Sequence, residues 1–447
     1  MKTLTLFLCT LFAGSVFANT TSLVVELIPF AVADGARFSD FMYGHVSEGT
    51  SSFCQLTGGD YGVQITRVDG LGGALTETQL VAPSNWLAAS AQTGCTTFYG
   101  LDVWDDYVQF GDTFSKQIWR VNKHTGVITL HISRHAITNT LGITTLNWTS
   151  ANMMDRRDGA AIFYESGSRQ IVRALSTNDI TSFISAQDLS NAFGYAVIAG
   201  GMTIDANGIF YAGSGTTGST RVVFSRDATN GITIALPTDA ISNLVRESSI
   251  IIQDIFCAPD GWIYLAVSRS ANVNNILRFA PADPTGTVHL VLSKDDLAAT
   301  VSGNQVSSLD WNNGLVWHTH QQRKGVYQYL PDLWPLMVIT GESVVAENTF
   351  NVPYTALFRL TNHYGGAVQY DHSSIAFWSV SGTAPVGVTL NGNLLSIDTL
   401  LSNTVITLEA ISSFGELTAT GRFDVLIVPE PAALLVLALA ATMRRRR

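Results

Sequence analysis

Apolar and polar positions alternate along most of this chain, and one short arrangement of them recurs. An apolar residue, then Ser, Pro or Thr, three free positions and a second apolar residue appear together six times. The copies are Ala82-Pro83…Leu87, Ile132-Ser133…Ile137, Ile184-Ser185…Leu189, Leu236-Pro237…Ile241, Leu292-Ser293…Leu297 and Ile339-Thr340…Val344. Successive starts differ by 50, 52, 52, 56 and 47 residues. Ahead of the copies lie strand-like runs, often with Arg: Ile65-Thr66-Arg67-Val68, Ile118-Trp119-Arg120-Val121, Ile171-Val172-Arg173-Ala174 and Ile276-Leu277-Arg278-Phe279. The fourth and sixth repeats depart from this, with Val222-Val223-Phe224 and Val326-Tyr327-Gln328-Tyr329. A third marker is a tight turn feeding an apolar run. It reads Asp158-Gly159, Asn207-Gly208, Asp260-Gly261 and Asn313-Gly314, with Asp105-Asp106 in the second repeat. Both residues of such a pair tolerate positive φ, so they close hairpins.

Each repeat therefore holds four short strands, the layout of a propeller blade. Alternation and dense β-branched content exclude helical repeats. The pattern predicts an all-β protein with a six-bladed β-propeller over residues 19–350. Leu23 to Phe30 would supply a strand that closes the ring.

Beyond residue 350 the repeat ends and residues 351–428 form shorter strand-like runs. These include Trp378-Ser379-Val380-Ser381-Gly382, Pro385-Val386-Gly387-Val388-Thr389-Leu390 and Leu394-Leu395-Ser396-Ile397. The order resembles the cadherin-like or immunoglobulin-like modules of bacterial surface proteins, with Val388 where Leu is usual. It implies a small β-sandwich. The run Pro259-Asp260-Gly261-Trp262-Ile263-Tyr264, followed by Asn275-Ile276-Leu277-Arg278-Phe279, resembles the blades of NHL-type and gluconolactonase-like propellers. That blade is shared by many unrelated functions.

The two ends carry addresses. Lys2, the apolar run Leu4 to Phe17 and Val16-Phe17-Ala18 follow the order of a secretory signal over residues 1–18, with cleavage after Ala18. A buried first strand is the alternative. At the other end, Val428, Pro429, Glu430 and Pro431 precede the apolar run Ala432 to Met443, then Arg444, Arg445, Arg446 and Arg447. Residues 429–447 resemble the PEP-CTERM sorting tail of Gram-negative envelope proteins. The resemblance implies an exosortase-type processing enzyme as partner and transient inner-membrane anchoring. The apolar run spans about 18 Å as a helix, short of the roughly 30 Å hydrocarbon core, so a segment starting near Val425, transient insertion and a simple tail anchor all stay open. Helices are expected only in these terminal signal and anchor segments.

Charge narrows the partners. Only 13% of residues are charged, and the formal net charge is −10. Without Lys2 and the four terminal arginines, Lys+Arg falls from 25 to 20 against 35 Asp+Glu, near −15. An acidic surface disfavours nucleic acid and anionic lipid and suits neutral polysaccharide, cations or basic proteins. Of four cysteines, Cys9 lies in the signal, and an exported protein would pair Cys54 with Cys95, leaving Cys257 as a thiol.

Candidate chemistry is sparse. His318 and His320 alternate on a strand, so their rings share a face as two metal ligands would, or pack as ordinary core or surface residues. Asp155, Asp205 and Asp310, with Asp102 as their equivalent, precede the turns. They cap turns, or, on the gluconolactonase-like resemblance, hold a divalent cation in the channel. Trp317, Trp334 and Trp378 are candidates for stacking on sugars. No nucleophile elbow, zinc-protease motif, phosphate loop or Cys-x-x-Cys is present, so no catalytic residue is assigned. The expected protein is a non-enzymatic binding or scaffold propeller of the cell envelope or extracellular matrix, associated with exopolysaccharide or biofilm. The alternative is a cation-dependent lactonase- or esterase-like hydrolase.

Overall fold

In a computed structural model, the described residues are 8–9, 21–29, 41–58, 62–71, 75–91, 98–112, 114–193, 201–215, 221–227, 231–247, 250–270, 273–301, 306–319, 325–362, 367–398, 404–414 and 417–428. Apart from Leu8–Cys9 and Val428, the signal and tail expectations fall outside them, as do the cleavage site at Ala18, Cys95 and His320. Among the described residues no helix is long and apolar enough to cross a membrane. The chain forms two compact units, the first holding Val24–Tyr329 with Met1–Cys9 and the second Leu330–Arg447 with Thr10–Leu23.

In the first unit, antiparallel four-stranded sheets follow one another along the chain. The first holds Phe41–Glu48, Ser51–Gly58, Gly62–Asp69 and Thr76–Val81. The third, a regular example, holds Trp148–Asp155, Ala160–Glu165, Gln170–Ser176 and Asp179–Ile184. The opening strands of the second, fourth, fifth and sixth are Phe98–Trp104, Met202–Ile204, Ile251–Cys257 and Val306–Trp311. In the sixth sheet Thr21–Pro29 lies beside Gly325–Thr340, with Leu8–Cys9 beyond it. The N-terminal strand expected to close the ring thus joins the last sheet of the first unit. Each opening strand lies beside the opening strand of the next sheet, and that of the sixth lies beside that of the first. Sheets set radially in a closed circle make a β-propeller.

Both faces of these sheets are apolar, so each sheet must be covered on both sides. Ala160–Glu165 is buried at every position. One apolar cluster fills each gap between successive sheets. Trp86, Phe53, Ile65, Phe110 and Trp119 lie between the first and second, and Cys54, Val68, Val316 and Val326 between the sixth and first. Polar straps cross the gaps as well. Arg67 Nη1 donates to the Lys123 carbonyl, Arg120 Nη2 to the Gly159 carbonyl and the Cys257 amide to Thr203 Oγ1. The Asn312 side-chain Nδ2 donates to the Gly49 carbonyl and joins the sixth sheet to the first. Recurrent Arg thus serves the junctions and turns: Arg173 pairs with Asp158, and Arg278 donates to His289 with its guanidinium 4.5 Å from the Trp262 ring centroid.

The recurring Ser/Pro/Thr pattern corrects the expectation of helices only at the termini. In the first five repeats it starts an eight-residue helix after the outer strand: Pro83–Ser90, Arg134–Leu141, Ala186–Phe193, Thr238–Val245 and Lys294–Val301. Ser133 Oγ accepts the Ala136 amide at 3.1 Å. Ser185 with Asp188, and Ser293 with Asp296, exchange bonds as capping boxes. The second apolar position drops a side chain into the core, as Ile137, Leu189 and Ile241 do. The sixth copy makes no helix. Ile339 and Thr340 end the long strand Gly325–Thr340 instead.

The second unit is also β. Residues 334–340 pair with Thr355–Thr361, which pairs with Ala367–Asp371. Thr404–Phe414 and Leu417–Val428 form a long hairpin, flanked by Phe377–Val380 and, in parallel, Val344–Ala346. A third sheet joins Thr349–Pro353, Leu394–Ile397 and Val388–Asn391. Burial alternates along Thr404–Phe414, so one face meets a core containing Phe358, Leu408 and Ile427.

Trp86 is 1% exposed and meets Trp119 and Phe110 edge-on at 5.0 and 5.5 Å. Trp86→Ala is expected to cost about 3–5 kcal/mol, read as a lower midpoint in chemical denaturation.

Candidate functional site

Hairpin turns end the opening strands where they converge, and polar groups gather there. Arg156, in the turn after Trp148–Asp155, reaches away from its own sheet. Its Nη2 lies 3.0 Å from Asp102 Oδ1 on the second sheet and 2.6 Å from Asp310 Oδ1 on the sixth. Its Nε donates to Asp102 at 3.2 Å, and its Cζ sits 5.2 Å from the centroid of Phe256 on the fifth. One side chain from the third sheet therefore touches three others, which places it at the axis of the ring. The two carboxylates strengthen the hold of Arg156 on its proton, although burial acts the other way.

Asp254, on the fifth sheet, completes the group. It follows an irregularity in strand register between Ile252 and Asp254, and such bulges re-aim side chains. Its Oδ2 accepts the Leu309 amide of the sixth sheet at 2.7 Å and its Oδ1 the Ile255 amide at 2.9 Å. Gly201 of the fourth sheet backs onto it so closely that a Cβ there would lie 2.3 Å from Asp254 Cα. Burial raises the Asp254 carboxyl to about 7, with Asp310 and Asp102 adding to the rise and the two amides opposing it. Burial raises Asp102 as well, Arg156 opposing and Asp310 adding.

Of the four turn aspartates, two cap turns and two reach Arg156. Asp155 accepts the Arg157 amide at 3.1 Å and pairs with the Arg157 guanidinium at 2.8 Å. Burial raises its carboxyl, but Arg157 outweighs this and holds it below the usual range. Asp205 Oδ1 accepts the amides of Asn207 and Ile209. Asp102 and Asp310 instead face Arg156. Asp254, Arg156 and Phe256 were not singled out from the sequence. The adjacent Arg156-Arg157 pair between two aspartates, in so charge-poor a chain, was the available signal.

The other candidates are dispersed. His318 lies on Leu315–Thr319 opposite Val326, its side chain outside the described residues. Trp317 is 0% exposed and Trp378 is buried with Nε1 donating to the Ser373 carbonyl, so neither offers a free face; Trp334 is 37% exposed. Burial raises the thiol of Cys54 to about 12 and that of Cys257 to about 11, which suits packing and not reactivity. Among the described residues no group of three or more His, Cys, Asp or Glu is placed to hold a metal ion. Asp102 and Asp310 are instead bridged by a guanidinium, which takes the place between them that a cation would need.

No family model matches the chain, and no curated protein matches it. Solved structures that resemble it include one from a nidogen/laminin complex, with TM-score 0.41 and 12% identity, covering 65% of this chain and 99% of that one. A PQQ-bound aldose sugar dehydrogenase from Streptomyces coelicolor gives 0.40 and 12%, covering 69% and 98%. A puromycin hydrolase gives 0.40 and 10%, covering 86% of this chain, which spans 60% of the hydrolase. Likeness at this level carries no activity across.

Asp254 gives the centre a pH dependence with a defined sign. Its folded pKa lies above the unfolded value of 3.8, so the native state holds the proton more tightly. The resulting stabilisation is full below the unfolded value and is lost as pH rises through about 7. Melting temperatures from pH 4 to pH 8 are expected to fall more steeply for wild type than for Asp254→Asn. Parallel curves would contradict this assignment.

Proposed function

We propose that the sheets of the first unit are the blades of a six-bladed propeller serving as a non-enzymatic binding platform. On this reading an immunoglobulin- or cadherin-like sandwich follows it, and the chain is exported to the cell envelope or matrix by its terminal signals. An exosortase-type enzyme processes the tail, and the binding partner is an extracellular polysaccharide.

One observation carries the choice between platform and enzyme. Asp102 and Asp310 at the ring axis are both paired with the chain's own Arg156, at 3.0 and 2.6 Å, and so are committed to holding sheets together. A hydrolase that activates water through a divalent ion needs such carboxylates free to ligate it. The acidic, charge-poor composition supports a neutral polymer as partner.

A second reading rests on Asp254. A carboxyl that titrates near 7 in a converging site suits general acid–base work. Purified protein, assayed for bound divalent metal, for a shift in melting on chelation and for turnover of lactone and ester substrates, separates the two. The platform predicts substoichiometric metal, an unchanged melt and no turnover above buffer. Turnover that is lost in Asp254→Asn would install the hydrolase instead.

A further inference from the structure

Twelve large apolar side chains are exposed among the described residues, and eight of them lie between Trp334 and Val405. Apolar surface gathered in this way marks a place where something docks. One sheet of the second unit sets several of these side chains in a regular order. Its strands, side by side, are Val344–Ala346, Leu417–Val428, Thr404–Phe414 and Phe377–Val380. Burial alternates along the two long strands, with Ile406, Leu408 and Ala410 facing inward on one and Val425 and Ile427 on the other. The residues between them face outward.

Register arranges the outward side chains in four rows across the strands. Val344, Leu426 and Val405 lie abreast in the first. Asp424 and Thr407 make the second, and Arg422, Glu409 and Ser379 the third. The fourth holds Thr420, Ile411 and Phe377. Val405 is 59% and Phe377 69% exposed, so both ends of the face are apolar. The outer rows stand about 20 Å apart, at about 3.4 Å per residue. Between them Asp424 accepts the Thr407 hydroxyl at 2.6 Å, and Arg422 Nε lies 3.0 Å from Glu409 Oε1. The Arg422 side chain is largely exposed, and one bond to Glu409 leaves its guanidinium with donors to spare.

Read along Leu417–Val428, the order is apolar, acidic, basic and mixed polar, with Ile411 and Phe377 filling the last row from the neighbouring strands. This order is complementary to its own reverse. A second copy turned end for end, about a two-fold axis between the middle rows, sets Val405 on Ile411 of the partner subunit. It sets Asp424 on Arg422 of the partner subunit, and symmetry repeats both contacts. Sheets packed face to face run within about 30° of each other, so the charged rows beside the axis stay matched. An unrelated partner would have to bring the complementary order itself. A second copy supplies it by symmetry, as isologous interfaces do.

We propose that this face pairs two copies of the chain in a two-fold dimer, with Asp424 of each copy meeting Arg422 of the other and the Val405 and Phe377 ends covering one another. None of this depends on which ligand the protein binds. A face four short strands wide belongs to the small class of interfaces, under about 1,200 Å² in total, which hold weakly.

Sedimentation equilibrium of the purified full chain at about 100 µM, the range a weak interface demands, tests the pairing. Wild type should show twice the mass of one chain. Asp424→Lys sets a lysine against Arg422, and Arg422→Glu sets a glutamate against Asp424, so each variant alone should associate at least about tenfold more weakly. Mixed in equal amounts, the two variants should dimerise again, because every contact between unlike copies then joins opposite charges. Phe377→Ser combined with Val405→Ser should be monomeric with an unchanged melt, since both side chains are exposed. A monomeric wild type would overturn the dimer. Variants that stay paired would remove this face as its interface, and a mixture that stays monomeric would overturn the two-fold register.

Discussion

A sheet with apolar side chains on both faces has no stable free surface, and every sheet of the first unit is of this kind. The sheets bury their faces only by following one another around a circle, and the circle has to close. Closure draws on the two ends of that segment: Thr21–Pro29 enters the sixth sheet beside Gly325–Thr340, and an apolar cluster joins the sixth sheet to the first. Closure also forces the opening strands together at the axis. Three carboxyl groups, Asp102, Asp254 and Asp310, meet there in partial shelter from water. Arg156 and the raised proton affinity that burial gives Asp254 make that meeting tolerable, since uncompensated buried charge is costly.

The sequence made the ring legible because its signals are local. Asp-Gly and Asn-Gly turns, Arg-bearing strands and a spacing of 47 to 56 residues recur in most of the repeats, and Gly208 and Gly261 take φ +84° in their turns. The short helices were hidden by their length. Eight residues hold barely two turns, too few to show a 3.6-residue period, although Ser185…Asp188 and Ser293…Asp296 were readable as capping boxes. The axial centre was hidden by distance. Arg156 lies 54 residues from Asp102 and 154 from Asp310, and no spacing rule spans such separations. Asp102 and Asp310 therefore looked like Asp155 and Asp205, which do cap turns.

That centre also shapes the functional reading. An acidic ring axis invites comparison with cation-dependent enzymes, but here the cation is a side chain of the chain itself. The axis then becomes a structural clasp.

The clasp is tested most directly by comparing stabilities of Arg156→Met, of Asp102→Asn with Asp310→Asn, and of all three changes together. Arg156→Met leaves the carboxylates facing one another. It is expected to cost about 2 kcal/mol, less than the roughly 3–5 of a fully buried pair because Arg156 is partly exposed. In the triple variant most of that loss should return, since no charge then remains for the guanidinium to balance. Strictly additive losses would show that Arg156 and the two aspartates act independently, and would contradict the clasp.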